Sequence, residues 1–369
     1  MTDQQARPPE NPAIVLLNFG GPRDLREVRV FLYEILKDPN TIQLPFPQPL
    51  QNILAWLIAR RRAPEIRRQY RVIGGKSPIV QATEQIAAAL QSALTAAEQP
   101  MQVFIAHRYL RGWSRQTARH ITAAGVDSLL AIPLYPHFSY ASSGSSFQQL
   151  DEQLRQEGFT GRVWGLRSYP AGVGYVDALA ARLEECLRQG APPPGETVIL
   201  CSAHGLPEAY VKAGDPYTRE LRSTLEALRP RFPQWRFVLS YQSRVGPAQW
   251  LTPYTDRILS ELGAEGMRHV VFLPLSFVND HIETLYEIGH TYFQAARDAG
   301  MAPHRVAAVE AHPAFIGELC TAATEWKSSR GGLPLAELLP PSQHFARVGR
   351  WAWVLWLVAL AAALLHALL

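Results

Sequence analysis

Eight short runs of apolar, largely β-branched residues recur along the chain and constrain its fold more than any other feature. They fall at residues 14–19, 103–107, 128–134, 163–166, 197–202, 237–241, 269–274 and 306–310. Most are continuously apolar rather than alternating, which is the pattern of parallel strands covered on both faces. Amphipathic stretches of helical period lie between several of them, such as 82–98 and 175–189. Strand and helix in alternation predict an α/β fold with parallel sheets. Four runs precede residue 170 and four follow residue 195, which predicts two similarly built halves, 12–172 and 173–326, each with a four-stranded sheet. The stretch 328–342 is rich in Pro, Gly and Ser and places a linker within 327–350.

The C-terminus departs from this pattern. Residues 351–369 hold no acid, Lys or Arg. As a helix they span roughly 28 Å, close to one hydrocarbon core. Trp351, Trp353 and Trp356 open the segment where an aromatic belt belongs, and Arg347 and Arg350 precede it. A transmembrane helix is expected, with the large N-terminal part on the cytoplasmic face; the competing reading is a C-terminal core helix. Residues 1–13 are polar and proline-rich, so no secretory signal is expected. Residues 42–58 (IQLPFPQPLQNILAWLI, from Ile42 to Ile58) are apolar and run into Arg60, Arg61 and Arg62. An apolar patch beside a basic cluster suggests a lip against lipid headgroups or an apolar anionic ligand. A core helix with a solvated basic end fits the same residues.

Several function classes drop out. A net charge of +4 without a sustained Lys/Arg run gives no nucleic-acid footprint. Cys186, Cys201 and Cys320 are far apart and form no C-x-x-C, which argues against a locally spaced zinc or iron–sulfur site and fits reduced thiols. No dinucleotide fingerprint, P-loop or G-x-S-x-G elbow occurs, so no energy-carrying cofactor is indicated.

In open α/β sheets ligands bind beyond the carboxyl ends of strands. Those ends carry Arg108 and Tyr109, then Tyr135 to His137 and a Ser-rich loop, then His204, then Gln242 to Arg244, then Asn279 to Glu283. Polar groups thus gather at one edge of both halves, where a large planar ligand would fit the cleft between them. His204 follows a buried run and precedes Gly205 and Pro207. An imidazole there takes a proton or offers a lone pair to a metal, or simply bonds backbone in a turn. In DHIETLYE (280–287), a helix would put Glu283 and Glu287 on one face, with His290 continuing it. Such a strip binds a divalent cation or passes protons. The competing reading is a helix cap, with Asp280 at the N-cap and Glu283 as its capping-box partner.

Seven stretches, in this order, resemble the ferrochelatase family: LLNFGGP (16–22), YRVIGGKSPI (70–79), HRYLRGW (107–113), PLYPHFSYASSGSS (133–146), SAHGLPEAYVKAGDPY (202–217), YQSRVGPAQWLTPYTD (241–256) and LPLSFVNDHIETLYE (273–287). The resemblance implies two Rossmann-like, chelatase-type halves around a porphyrin cleft. It implies a lyase that inserts ferrous iron into protoporphyrin IX to give protohaem, the last step of haem biosynthesis. It implies His204 and Glu283 as the catalytic, metal-contacting pair, with His281 and Glu287 as an accessory proton or metal route. Arg108, Tyr109, Ser243 and Trp250 are implied to line the substrate pocket. Residues 42–58 match the family's membrane-facing lip. Porphyrin and ferrous iron are then the partners, with membrane lipid at the lip and terminal helix; no resident cofactor is expected, and a homodimer is compatible with one terminal helix. Lys76 stands where a third glycine is frequent, and Val72 where some members carry a second arginine, which leaves the propionate-binding cation open. No cysteine cluster follows Val306, so the iron–sulfur cluster of some members is not expected. Coproporphyrin III as substrate, a sirohydrochlorin chelatase of the same fold, and a non-catalytic tetrapyrrole-binding membrane protein are the alternatives.

Overall fold

The computed structural model describes residues 11–39, 47–189, 193–244, 248–329 and 332–339. Two sheets organise it. The first is built from β1 (Pro12–Asn18), β2 (Gln102–His107), β3 (Ser128–Pro133) and β4 (Arg162–Gly165), and the second from β5 (Thr197–His204), β6 (Arg236–Gln242), β7 (His269–Pro274) and β8 (Ala302–Arg305). A short β9 (Leu333–Pro334) returns to the first sheet. The spatial orders are β2-β1-β3-β4-β9 and β6-β5-β7-β8. All neighbours are parallel except β4 and β9. In each half the first strand in sequence sits inside the sheet, with its carboxyl end at the edge facing the other half. The β1 and β5 strands are buried almost throughout.

Two expectations need correction. The eighth strand was expected at 306–310 but lies at Ala302–Arg305. It is an edge strand, and its sequence (Ala, Pro, His, Arg) carries no apolar signal; an edge also tolerates Pro303. The Val306 N–H still donates to the Phe272 carbonyl, after which the chain leaves the ladder. Val306, Ala308 and Val309 are buried because that loop closes the core beyond the sheet. The first sheet also has five strands rather than four. Its last strand falls within the expected linker, and Leu335 and Leu338 pack there beside Phe147 and Leu150. That part of 327–350 therefore belongs to the first half.

The halves share one apolar core. Ile14 and Leu16 of β1 belong to the same cluster as Ile199 and Leu273 of the second sheet. Helix Pro313–Ser329 packs on both Val173–Arg188 and Ile79–Ala96, tying the end of the second half to the first.

Helix Gln48–Val72 inverts the usual pattern. Its inward residues are Gln51, Ala55, Ala59 and Ala63, while Leu50, Ile53, Trp56 and Leu57 are 41–57% exposed. The core-helix reading of this stretch fails for its described part, because the bulky apolar side chains face outward. Residues 42–46 lie outside the described residues. So do residues 351–369, on which the transmembrane helix was expected. Among the described residues no helix is long and apolar enough to cross a membrane.

Candidate active site

His204 ends β5, and its side chain is 41% exposed. Its Nδ1 lies 2.5 Å from the Gly205 carbonyl, which assigns the ring proton of the neutral form to Nδ1. That leaves the Nε2 lone pair directed outward, 3.8 Å from Glu283 Oε2. Tyr217 donates to the His204 carbonyl and fixes the strand end from below. Gly205 is obligatory here for lack of space: a Cβ would stand 2.8 Å from the Gln242 carbonyl and 3.1 Å from the Trp250 ring. Trp250 lies edge-on to His204 at 6.5 Å between ring centroids.

His281 approaches the same carboxylate. Its Nδ1 lies 3.2 Å from the Asn279 carbonyl, and its Nε2 lies 3.9 Å from Glu283 Oε2. Burial holds its pKa below the usual value, so the ring is neutral near pH 7, again with Nε2 unprotonated. His204 Nε2, His281 Nε2 and one carboxylate oxygen of Glu283 therefore face one another. Such a grouping attracts a cation or an incoming proton. Among the described residues no three His, Cys, Asp or Glu side chains form a ready-made metal cage.

The helix that carries Glu283 is not an α-helix. Residues Glu283–Tyr292 follow π-type i→i+5 bonding. The capping-box alternative fails as well. Asp280 accepts from the Thr284 hydroxyl and from Arg305, and the helix has no side-chain cap. The wider turn keeps Glu287 on the face of Glu283 but rotates His290 away, where it is exposed and stacks on Tyr286 at 5.0 Å. Tyr292 takes the expected place of His290, donating to Glu287 Oε1 over 3.1 Å. Glu287 also accepts from the Ser243 backbone N–H at 2.9 Å, from Gln242 Nε2 at 3.2 Å and from the Ser243 hydroxyl. Burial, and then the Glu283 charge, raise its pKa.

Of the residues expected at the site, His204, Glu283, His281, Glu287, Ser243 and Trp250 come together. Arg108 and Tyr109 have another arrangement. The Arg108 side chain is 3% exposed and pairs with Asp38, and the Tyr109 hydroxyl donates to the same carboxylate at 2.9 Å. The two residues secure the chain just after helix Val28–Leu36.

Other participants carried no signal that spacing alone could reveal. Tyr70, buried at the end of helix Gln48–Val72, has its phenol pKa raised by burial and then by Glu283, which puts it within electrostatic reach of the site. Asn18 of β1 donates to Asn279 across the halves at 2.9 Å. Asp215 reaches from the second half to the Ser139 hydroxyl and the Tyr140 N–H, both at 2.8 Å. Tyr70, Asn18 and Asp215 all lie inside the quoted family blocks, which was the one available pointer.

The sequence profile described as ferrochelatase matches residues 11–326. The ferrochelatase of Cyanothece sp. is 40% identical over 349 residues, covering 91% of this chain and 85% of that protein. The ferrochelatase of a Synechocystis species is 41% identical over 319 residues, covering 83% and 80%. Among solved structures, SirB from Bacillus subtilis with Fe3+ gives a TM-score of 0.54 at 12% identity, covering 88% of this chain and 99% of that one. The sirohydrochlorin chelatase SirB from Bacillus subtilis subspecies spizizenii, in complex with cobalt, gives 0.52 at 11% identity over the same shares. These two likenesses establish a chelatase-type fold, and profile and sequence identity together place the chain in the ferrochelatase family.

Proposed function

We propose that this lyase inserts ferrous iron into protoporphyrin IX, with His204 and Glu283 as the groups that meet the metal and the departing protons. The observation that carries the reading is the meeting of His204 Nε2, His281 Nε2 and Glu283 Oε2 at the carboxyl ends of the second sheet.

The reaction exchanges two pyrrole N–H protons for one dication. A planar ring hides its nitrogen lone pairs, so insertion requires bending it, at the expense of binding energy over its wide apolar face. Trp250 stands beside His204 to meet that face. Neutral imidazole suits iron better than it suits hard magnesium. His204 accepts a proton or makes the first contact with iron, and Glu283 supplies the opposing charge. His281, neutral beside Glu283, extends the acceptor set.

Porphyrins partition into membranes. The outward Leu50, Ile53, Trp56 and Leu57, followed by Arg60 to Arg62, suit contact with an anionic lipid surface next to the cleft. Together with the apolar sequence of 351–369 they support the reading of an enzyme at the cytoplasmic face of a membrane.

The test is anaerobic metal insertion by the full chain in detergent, with protoporphyrin IX and coproporphyrin III in parallel. The wild type is expected to make haem from protoporphyrin, and His204→Ala and Glu283→Ala to lose that activity. Preference for coproporphyrin would overturn the substrate. Porphyrin binding without metallation of either compound would turn the reading to a tetrapyrrole-binding protein.

A further inference from the structure

Glu283 and Glu287 lie one turn apart beside the same hydroxyl, yet they are held very differently. Glu287 takes four donors, two on each oxygen. Oε1 accepts from the Ser243 N–H and the Tyr292 hydroxyl, and Oε2 accepts from Gln242 Nε2 and the Ser243 hydroxyl. A carboxylate offers about four lone-pair positions, so this one is saturated. Among the described residues, the Glu283 carboxylate accepts from the same Ser243 hydroxyl, at 3.3 Å. That hydroxyl has a single proton to share between the two carboxylates.

The saturation is built into the backbone. Ser243 has φ 64°, a left-handed conformation uncommon for serine. It brings both the N–H and the hydroxyl of one residue onto Glu287. The π-helical turn supplies the fourth donor by carrying Tyr292 to the face an α-helix would have given to His290. Two departures from regular backbone thus converge on one carboxylate.

We propose that Ser243, Tyr292 and Gln242 form a tether that withholds Glu287 from the incoming metal, leaving Glu283 as the one carboxylate that meets it. They are positioning residues, and the inference rests on the reading of His204 and Glu283 as the point of metal contact. The chemistry gives the tether a purpose. A chelatase must release its ion into the macrocycle. A second carboxylate on the ion would stabilise the bound ground state and would be lost on transfer, tightening binding while slowing insertion. Holding Glu287 keeps its oxygens off the ion.

The test removes two donors without disturbing the backbone. Ser243→Gly suits φ 64° better than serine does and retains the N–H, and Tyr292→Phe retains the ring. Zn2+ alone, without porphyrin, is titrated into wild type, the double variant and the triple variant that adds Glu287→Gln; insertion kinetics are measured beside it. The double variant is expected to bind Zn2+ about tenfold tighter, with KM for the metal and kcat both lowered, and the triple variant to return to wild-type affinity. Unchanged or weaker Zn2+ binding by the folded double variant would overturn the tether. Tight binding that persists in the triple variant would do so too, because Glu287 would not be its source. A wild type that inserts no metal would instead remove the underlying site reading, and the two failures are told apart in one assay series.

Discussion

Replacing Asp38 with alanine isolates what Arg108 does. The Arg108 guanidinium is almost fully buried, and its partner is the Asp38 carboxylate, whose side chain is 13% exposed. Asp38 also accepts the Tyr109 hydroxyl. Removing one partner of a buried pair leaves the other charge uncompensated and costs about 3–5 kcal/mol. That is a factor of roughly 10² to 10³ or more in the folding equilibrium, and a large share of the ~5–15 kcal/mol typical of a native chain. Asp38→Ala should therefore lower the urea midpoint of the full chain in detergent by the equivalent of a few kcal/mol. Replacing both partners, Asp38→Ala with Arg108→Met, should recover most of the loss, because an apolar replacement of a buried pair is often close to neutral. The family resemblance would have put Arg108 on the substrate, in which case Arg108→Met alone should raise KM for porphyrin and leave stability nearly unchanged. Circular dichroism against urea, run beside insertion kinetics, separates the two. A midpoint for Asp38→Ala within about 0.5 kcal/mol of wild type would refute the reasoning, since the buried charge would then have another compensating partner.

Two further outcomes are expected. Burial pushes the His107 pKa down to about 4, from an unfolded value near 6.5. The folded chain thus declines a proton that the unfolded chain accepts, so stability rises with pH across this window. His107 contributes fully above about pH 6.5, and the contribution falls away by roughly 3 kcal/mol towards pH 4; His107→Gln should flatten the dependence of the urea midpoint on pH between 6.5 and 4.5, and an unaltered slope would contradict it. At the lip, Ile53→Ser combined with Trp56→Ser should weaken binding to vesicles containing anionic lipid, with metal insertion from detergent-dispersed porphyrin unchanged; sedimentation of protein with vesicles reads this, and equal sedimentation would remove the membrane-facing role of the helix.

The parts of the fold that were legible in the sequence were those where burial dictates residue type. Strands such as β1, β3, β5 and β7 are covered on both faces, so their sequences are apolar runs that cannot be mistaken. Edge strands escape this logic. The polar β8 was misplaced by a few residues, and the two-residue β9 lay inside a stretch that composition marks as linker. The lip escaped it for the opposite reason. Its apolar residues face out and its alanines face in, so no rule based on burial could tell it from a core helix. At the site, spacing put Glu283 and Glu287 on one face correctly, since both α and π turns do so. Beyond one turn the two geometries diverge, and the expectation for His290 failed there while Tyr292 went unnoticed. Nothing in the residues themselves announces a π-helix, because it is stabilised by contacts from elsewhere, here the bonds from Ser243 and Gln242 on the β6 end.

These contacts also explain why the fold needs two halves when the acceptor groups all sit on the second. Asn18 at the end of β1 donates to Thr83 and to the Asn279 side chain, both at 2.9 Å, and all three residues are buried. The Asn279 carbonyl in turn accepts from His281 Nδ1. Asn279 is thereby held at two points, its side chain by Asn18 of the first half and its backbone carbonyl by the imidazole facing Glu283. That carbonyl settles which ring nitrogen of His281 carries the proton and which is open. Asp215 works in the other direction, holding the loop after β3 from the second half. If the halves only enclosed a cleft, polar bonds between them would be dispensable. By fixing the Asn279 side chain two residues from His281, the Asn18 bond instead ties the position of the site loop to the first half.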